Sequence, residues 1–276
     1  MKKGQIVKIE SNDYSVLTGN EVLICKCRGR FRKEGLTPLV GDRVDYDEDK
    51  RVIEKILPRD NEFKRPKVAN VNQALIITSL KLPDFSLNLL DKLLVLMELK
   101  KVKPIICITK KDLLTEEEFQ EIDKYLKYYA SIGYKILYNT DIEEIKKVLK
   151  GKISVFVGQT GAGKSTLLNK LEPNFSLKTG EVSKALGRGR HTTRVVEVFS
   201  LCGGQVFDTP GFSALEFADF AEEDIREAFR EFKEFTCEYK DCRHVNEKEC
   251  QVKKAVSTGK ILPERYVNYL SLIKKR

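Results

Sequence analysis

Long apolar runs are missing from this 276-residue chain. Stretches such as 74–77 and 105–108 fall far short of the roughly 20 consecutive apolar residues that cross a bilayer, so no membrane association is expected. A leader-like start is missing too. Lys2 and Lys3 are followed by Lys8, Glu10 and Asp13 rather than by an apolar stretch, so no secretory signal is expected and a cytoplasmic address follows by default. Positive charge is in excess, at a net +9, but it is spread over all three parts of the chain, which makes net charge alone modest evidence for nucleic-acid binding. Local clusters carry more weight: Arg28, Arg30, Arg32 and Lys33 around Phe31, then Arg188, Arg190 and Arg194, and Lys274, Lys275 and Arg276. Histidine is scarce, at two residues, so each one that falls inside a motif is informative.

With 41% hydrophobic and 33% charged residues, the chain is a globular one long enough for two or three domains. Residues 1–66 alternate short apolar stretches with turn signals, at 5–9, 14–17, 21–27, 43–46 and 51–57. Five such strands predict an OB-fold β-barrel, whose exposed face and loops commonly hold single-stranded nucleic acid, although an SH3-like barrel would read much the same. The stretch 58–66 reads as the closing linker. From 67 to 217, apolar strands at 74–79, 104–109, 134–138, 153–157 and 205–207 alternate with helical spacing at 89–100, 116–130 and 142–149, which predicts βαβ units and a mostly parallel sheet. Residues 218–276 read as helical, with Ile225, Phe229 and Phe232 on one stripe and Tyr266, Leu270 and Ile273 on another. The fold class is therefore α/β and multidomain.

The strand at 153–157 runs into Gly158-Gln159-Thr160-Gly161-Ala162-Gly163-Lys164-Ser165, with Thr166 opening a helix. This is a P-loop. Glycines let backbone N–H groups curl around phosphate oxygens, Lys164 meets the β and γ charges, and the Ser165 hydroxyl suits Mg²⁺. Thr109-Lys110-Lys111-Asp112 ends another strand. A carboxylate there accepts from both N1–H and the exocyclic amine of guanine, an arrangement adenine does not offer. The usual tetrapeptide starts with Asn, so Thr109 is a departure. Asp208-Thr209-Pro210-Gly211 follows the strand at 205–207, where Asp208 would hold Mg²⁺ through water and Gly211 would offer its N–H to the γ-phosphate. Between these elements lies Gly187-Arg188-Gly189-Arg190-His191-Thr192-Thr193, a cationic loop in which either threonine could be the Mg²⁺-binding switch residue. The guanine-reading tetrapeptide precedes the P-loop, the reverse of the ordinary order, so the domain is expected to be circularly permuted, with the second switch running straight into the C-terminal segment.

In that segment, Cys237-x4-Cys242-x-His244-x5-Cys250 collects three thiols and an imidazole at short spacing. Four such ligands suit one tetrahedral Zn²⁺ with no position left for water, hence a structural site. Cys25, Cys27, Cys107 and Cys202 read as small core residues.

A barrel-like start, permuted GTPase motifs and a terminal cysteine cluster together resemble the RsgA family of small-ribosomal-subunit biogenesis GTPases. That resemblance implies a central circularly permuted P-loop GTPase domain at 67–217 between the RNA-binding barrel of 1–66 and a helical zinc-binding domain at 218–276. It implies GTP hydrolysis to GDP, coupled to the 30S subunit and its 16S rRNA and to release late in maturation, by a chain expected to be a monomer. Residues 109–112 and 158–166 would contact the nucleotide, and Ser165, Thr193 and Asp208 the Mg²⁺. A glutamine that orients the attacking water is commonly found after the switch glycine, but Phe212 stands here. His191 is the expected replacement, with Arg190 as a competing charge stabiliser, and intrinsic turnover should be near the ~10⁻³ s⁻¹ of unassisted GTPases. Asn139-Thr140 stands where a serine-rich guanine contact is usual, which leaves that contact open. Two other readings remain: a GTP-gated RNA-binding scaffold with negligible turnover, and a P-loop ATPase or small-substrate kinase.

Overall fold

The computed structural model describes residues 1–29, 31, 35–64, 66–172, 197–208, 217 and 219–274. His191, Thr193 and Gly211 lie outside the described residues, as do the arginines of 188–194, and of Asp208 only the backbone is described.

Five strands open the chain: β1 (Lys2–Glu10), β2 (Asp13–Thr18), β3 (Glu21–Cys27), β4 (Arg43–Asp47) and β5 (Val52–Ile56). They pair in the order β1-β2-β3-β5-β4, and β4 returns to β1 through Lys2↔Tyr46 to Gln5↔Arg43, which closes the barrel. This circuit, with β3 and β5 parallel, is that of an OB-type barrel and disposes of the SH3-like alternative. The period of two is plain in β2, where Tyr14 and Val16 turn inward to join Ile6, Cys25, Val44, Tyr46 and Ile53 in the barrel core. Phe31 joins them at 4% exposure. The ring among the clustered cations is thus a core residue and not a surface on which a base could stack.

Two short strands follow, β6 (Glu62–Phe63) and β7 (Val68–Ala69), and then β8 (Gln73–Ser79), α1 (Leu87–Leu99), β9 (Lys103–Thr109), α2 (Glu116–Ser131), β10 (Lys135–Tyr138), α3 (Ile142–Leu149), β11 (Ile153–Val157) and α4 (Lys164–Leu171). Strands β12 (Glu197–Leu201) and β13 (Gly204–Asp208) form a hairpin, and α5 (Glu222–Glu227), α6 (Gln251–Ser257) and α7 (Pro263–Lys274) finish the chain. The single helix expected from 222 is broken: α5 ends at 227 and a 3₁₀ turn covers Arg230–Glu234.

By contact, the chain falls into two units. The first comprises residues 1–74, 140–156 and 164–212, and orders its strands β11-β13-β12-β1-β2-β3-β5-β4. The second comprises 75–139, 157–163 and 213–276, and orders its strands β10-β9-β8. Strands β9 and β10 are parallel, with Ile105 to Ile108 buried throughout, as a strand covered on both faces requires.

Within the second unit the C-terminal segment shares a core with α1. Val95 packs with Ile225, Phe229, Phe232, Val252 and Tyr269. A buried ion network adds direction. Arg265 of α7, 1% exposed, donates to Glu231 and, at 2.5 Å, to Asp91 of α1. Tyr129 of α2 and Asn268 donate to the same Asp91 carboxylate at 2.6 and 2.7 Å. Buried charges persist where partners satisfy them in this way.

Candidate functional site

Strand β11 ends at Val157 and α4 begins at Lys164, so the glycine-rich residues form the turn between them. Gly158 must be glycine because a Cβ there would lie 2.2 Å from the carbonyl oxygen of Ile77, and Gly163 because its φ is +96°. The backbone therefore has the close approach and left-handed turns that a phosphate cradle needs. Lys164 is half-buried, and burial draws its ammonium below the ordinary lysine pKa. A polyphosphate would restore the charged form, since an opposite charge at close range favours it. Ser165 and Thr166 stand exposed in the first turn of α4.

The guanine tetrapeptide sits at the C-terminal end of β9, the end at which ligands gather in parallel sheets. Lys110 takes a left-handed φ of 59° and donates its ammonium to the carbonyl of Leu82. Lys111 lies over the ring of Phe119, 3.7 Å from its centroid, so its charge is turned away towards α2. Asp112 is exposed in the 3₁₀ turn Lys111–Leu113. The register Tyr138↔Ile108 and the bond from the Asn139 N–H to Ile108 oxygen, 2.8 Å, place Asn139 beside the same strand end.

One hydrogen bond joins the two motifs. Thr109, 2% exposed, donates its hydroxyl to the carbonyl of Ala162 at 2.7 Å, and both belong to the second unit. At the position where Asn is usual, a short hydroxyl thus ties the glycine-rich loop to the turn that follows β9. Replacing Thr109 by Val keeps the shape and orphans the buried Ala162 carbonyl, which costs about 1–3 kcal/mol. We expect a lower melting temperature and a GTP and GDP affinity weakened by the same factor in titration calorimetry, because neither phosphate count nor base is changed.

The parallel pair β11 and β13, through Val155↔Phe207, sets Asp208 at the end of β11 from which the glycine-rich loop leaves.

The cysteine cluster assembles as its spacing predicts. Cys237, Cys242, His244 and Cys250 bring one ligand atom each within 4.8 Å of one another. The imidazole Nδ1 lies 3.6, 3.3 and 3.2 Å from the sulfurs of Cys237, Cys242 and Cys250, and Cys237 and Cys250 sulfurs are 3.8 Å apart. Tetrahedral zinc with Zn–S of ~2.3 Å and Zn–N of ~2.1 Å has edges of about 3.8 Å between sulfurs and about 3.6 Å between sulfur and nitrogen. The donors therefore fit that ion, and the sulfur separation is far beyond a disulfide bond. Burial pushes the Cys242 thiol up to about 12, and pushes Cys250 up as well, so thiolates here call for a cation. At Cys237 burial opposes ionisation, but the N–H groups of Val252 and Gln251 draw the thiol below its ordinary value. Burial lowers the His244 pKa, which favours the neutral imidazole that metals bind. Around the ligands, Gln251 N–H reaches Cys237 sulfur at 3.3 Å, and Tyr266 and Tyr269 donate to the carbonyls of His244 and Arg243 at 2.6 Å each. Such outer partners hold ligands in place. The other four cysteines take no part: Cys25 and Cys107 are buried in β3 and β9, and Cys27 and Cys202 are half-buried. Sequence spacing carried no signal for Leu82 oxygen as the acceptor of Lys110.

A P-loop on a parallel sheet, tethered to a guanine-reading turn that comes earlier in the chain, defines a circularly permuted guanine-nucleotide-binding protein. Comparison with known proteins narrows the class. Residues 56–218 match the model of the RsgA GTPase family and residues 3–52 that of the RsgA N-terminal domain. The chain belongs to the RsgA GTPase family. It is 46% identical to the small ribosomal subunit biogenesis GTPase RsgA of Streptococcus pneumoniae, over 98% of this chain and 93% of that protein. To the protein of the same name from Geobacillus kaustophilus it is 45% identical, over 99% and 97%. Among solved structures it resembles YjeQ from Thermotoga maritima, with a TM-score of 0.85, 37% identity and coverage of 99% and 97%. It also resembles YloQ, a circularly permuted GTPase, with a TM-score of 0.82, 38% identity and coverage of 100% and 94%.

Proposed function

We propose that this chain is a GTPase that hydrolyses GTP to GDP and phosphate and acts in late maturation of the small (30S) ribosomal subunit, binding 16S rRNA and leaving on hydrolysis. The observation that carries the reading is the Thr109 to Ala162 bond, which makes one unit of the base-reading and phosphate-binding motifs. Relatives named as small ribosomal subunit biogenesis GTPases, at 44–46% identity over nearly the whole chain, support the partner. A nucleotide-gated scaffold without turnover is not favoured, because those relatives are GTPases by name.

In this reading the N–H groups of 158–163 and the Lys164 ammonium hold the β- and γ-phosphates, and Asp112 selects guanine. Ser165, Thr193 and Asp208 would hold Mg²⁺, which neutralises charge that builds on the phosphate oxygens. Gly211 N–H orients the γ-phosphate, and His191 positions the attacking water in place of the glutamine that Phe212 replaces. Cys237, Cys242, His244 and Cys250 hold one structural Zn²⁺, and the chain works as a cytoplasmic monomer with domain bounds at 66 and 217.

Phe212 stands where a water-orienting glutamine is common, so turnover alone is expected at ~10⁻³ s⁻¹ and should rise by at least about 10²-fold with 30S subunits. Phosphate release measured with and without 30S particles, beside pelleting under GTP, GDP and a non-hydrolysable analogue, tests this. Turnover indifferent to the subunit, or pelleting indifferent to the nucleotide, would sink the coupling.

A further inference from the structure

The sheet of the first unit does not stop at the nucleotide-binding strands. β12, which would otherwise be its edge, pairs antiparallel with β1 of the barrel through Lys8↔Glu197. An open strand edge is a template for another chain, and here the barrel itself covers it. The register makes a single cross-strand row. Asp208 of β13 faces Glu197 of β12, Glu197 faces Lys8, Lys8 faces Ser15 of β2, and Ser15 faces Ile24 of β3. Four strand spacings carry this row about 19 Å, from the Mg²⁺-side aspartate to a residue on the outside of the barrel. Ile24 is 59% exposed there, whereas its neighbour Cys25 turns into the barrel core.

Strand β1 is shaped for both partners. The bridge pairs with β2 shift register between Ile6 and Lys8, so a bulge separates the half of β1 that closes the barrel on β4 from the half that reaches β12. Bulges re-aim a strand in this way. The bulge is strapped on one side, where Ile6 accepts from the Gly41 N–H at 2.7 Å and donates to the Asp42 carbonyl at 2.9 Å. A second contact reaches the same strap. A Cβ built on Gly41 would lie 2.9 Å from Cζ of Phe207 and 2.1 Å from the Ala69 oxygen, so the bare glycine is what admits the Phe207 ring. Phe207 is the residue immediately before Asp208. A shift of the β13 end therefore has two routes into the barrel, the backbone row and the ring seated on Gly41.

We propose that β1 is the effector strand of the nucleotide-binding sheet, supplied in cis, and that it passes the state of Asp208 to the outer face of β2 and β3. The inference rests on the reading that the chain binds guanine nucleotide. Phe207 acts as a positioning residue, without touching nucleotide.

Hydrogen exchange followed by mass spectrometry on the full chain tests it, with GDP and with a non-hydrolysable GTP analogue, each with Mg²⁺. Exchange in 8–16 and 21–26 should differ between the two nucleotides by about threefold or more, as expected when strand pairing tightens. Phe207→Leu, which keeps an apolar buried side chain, should shrink that difference while leaving protection of 158–166 by either nucleotide in place. Equal exchange of 8–16 and 21–26 in the two states, with 158–166 protected in both, would overturn the inference alone. Failure of either nucleotide to protect 158–166 would remove the nucleotide reading and the inference together.

Discussion

Asp112→Asn is expected to turn a guanine-nucleotide site into one that prefers xanthosine nucleotides. Guanine offers N1–H and an exocyclic amine to the carboxylate, and with asparagine in its place the amine faces another NH₂ group. Xanthine has a carbonyl at that position and accepts from the new amide. An orphaned donor in a covered site costs roughly 2–5 kcal/mol, so GTP affinity should fall by on the order of 10²-fold or more. Asp112 stands exposed in the turn Lys111–Leu113, outside the core, so the substitution should leave the melting temperature of the free protein unchanged. Displacement of fluorescent GDP by GTP, XTP and ATP checks this. An unchanged order of preference would show that Asp112 does not read the base, and competition by ATP in the wild type would favour the ATPase or kinase reading.

Removal of the metal should have the larger structural effect. Three sulfurs and an imidazole are drawn together beside Phe232 and Tyr269, and burial disfavours the thiolates of Cys242 and Cys250 unless a cation joins them. Structural zinc contributes on the order of 10 kcal/mol to folding of the elements it ties. One zinc per chain is expected by elemental analysis, and Cys242→Ala should lose it, lower the melting temperature by more than 10 °C and expose 237–250 to protease. A chain that purifies without zinc, and a variant that melts with the wild type, would contradict a structural role.

What could be read from residue order is what spacing encodes. The P-loop, the tetrapeptide after β9 and the four clustered ligands each lie within about fifteen residues of chain, so local pattern suffices, and the strands and helices that flank the first two are found within a residue or two of the expected ends. Contacts made at long separation were not legible. Thr109 looked like a weakened motif until its hydroxyl was seen on Ala162, 53 residues away. Phe31 sits among cations in sequence and yet turns into the barrel, because its neighbours in space and not in order decide its burial. Strand β12 was missed, since its five residues, Glu197 to Leu201, gain stability from pairing on both sides and carry no strong period of their own.

The arginine that joins α7 to α1 has a consequence for how the chain can be cut. A protein ended before residue 263 would lose Arg265 and Asn268 together, and Asp91, fully buried on α1, would keep the Tyr129 hydroxyl of these three partners. A buried carboxylate stripped of its cation costs about 3–5 kcal/mol, beyond the packing lost with the helix itself. The last helix is therefore a keystone of the domain that reads guanine, although it is the final part of that domain to leave the ribosome that makes it.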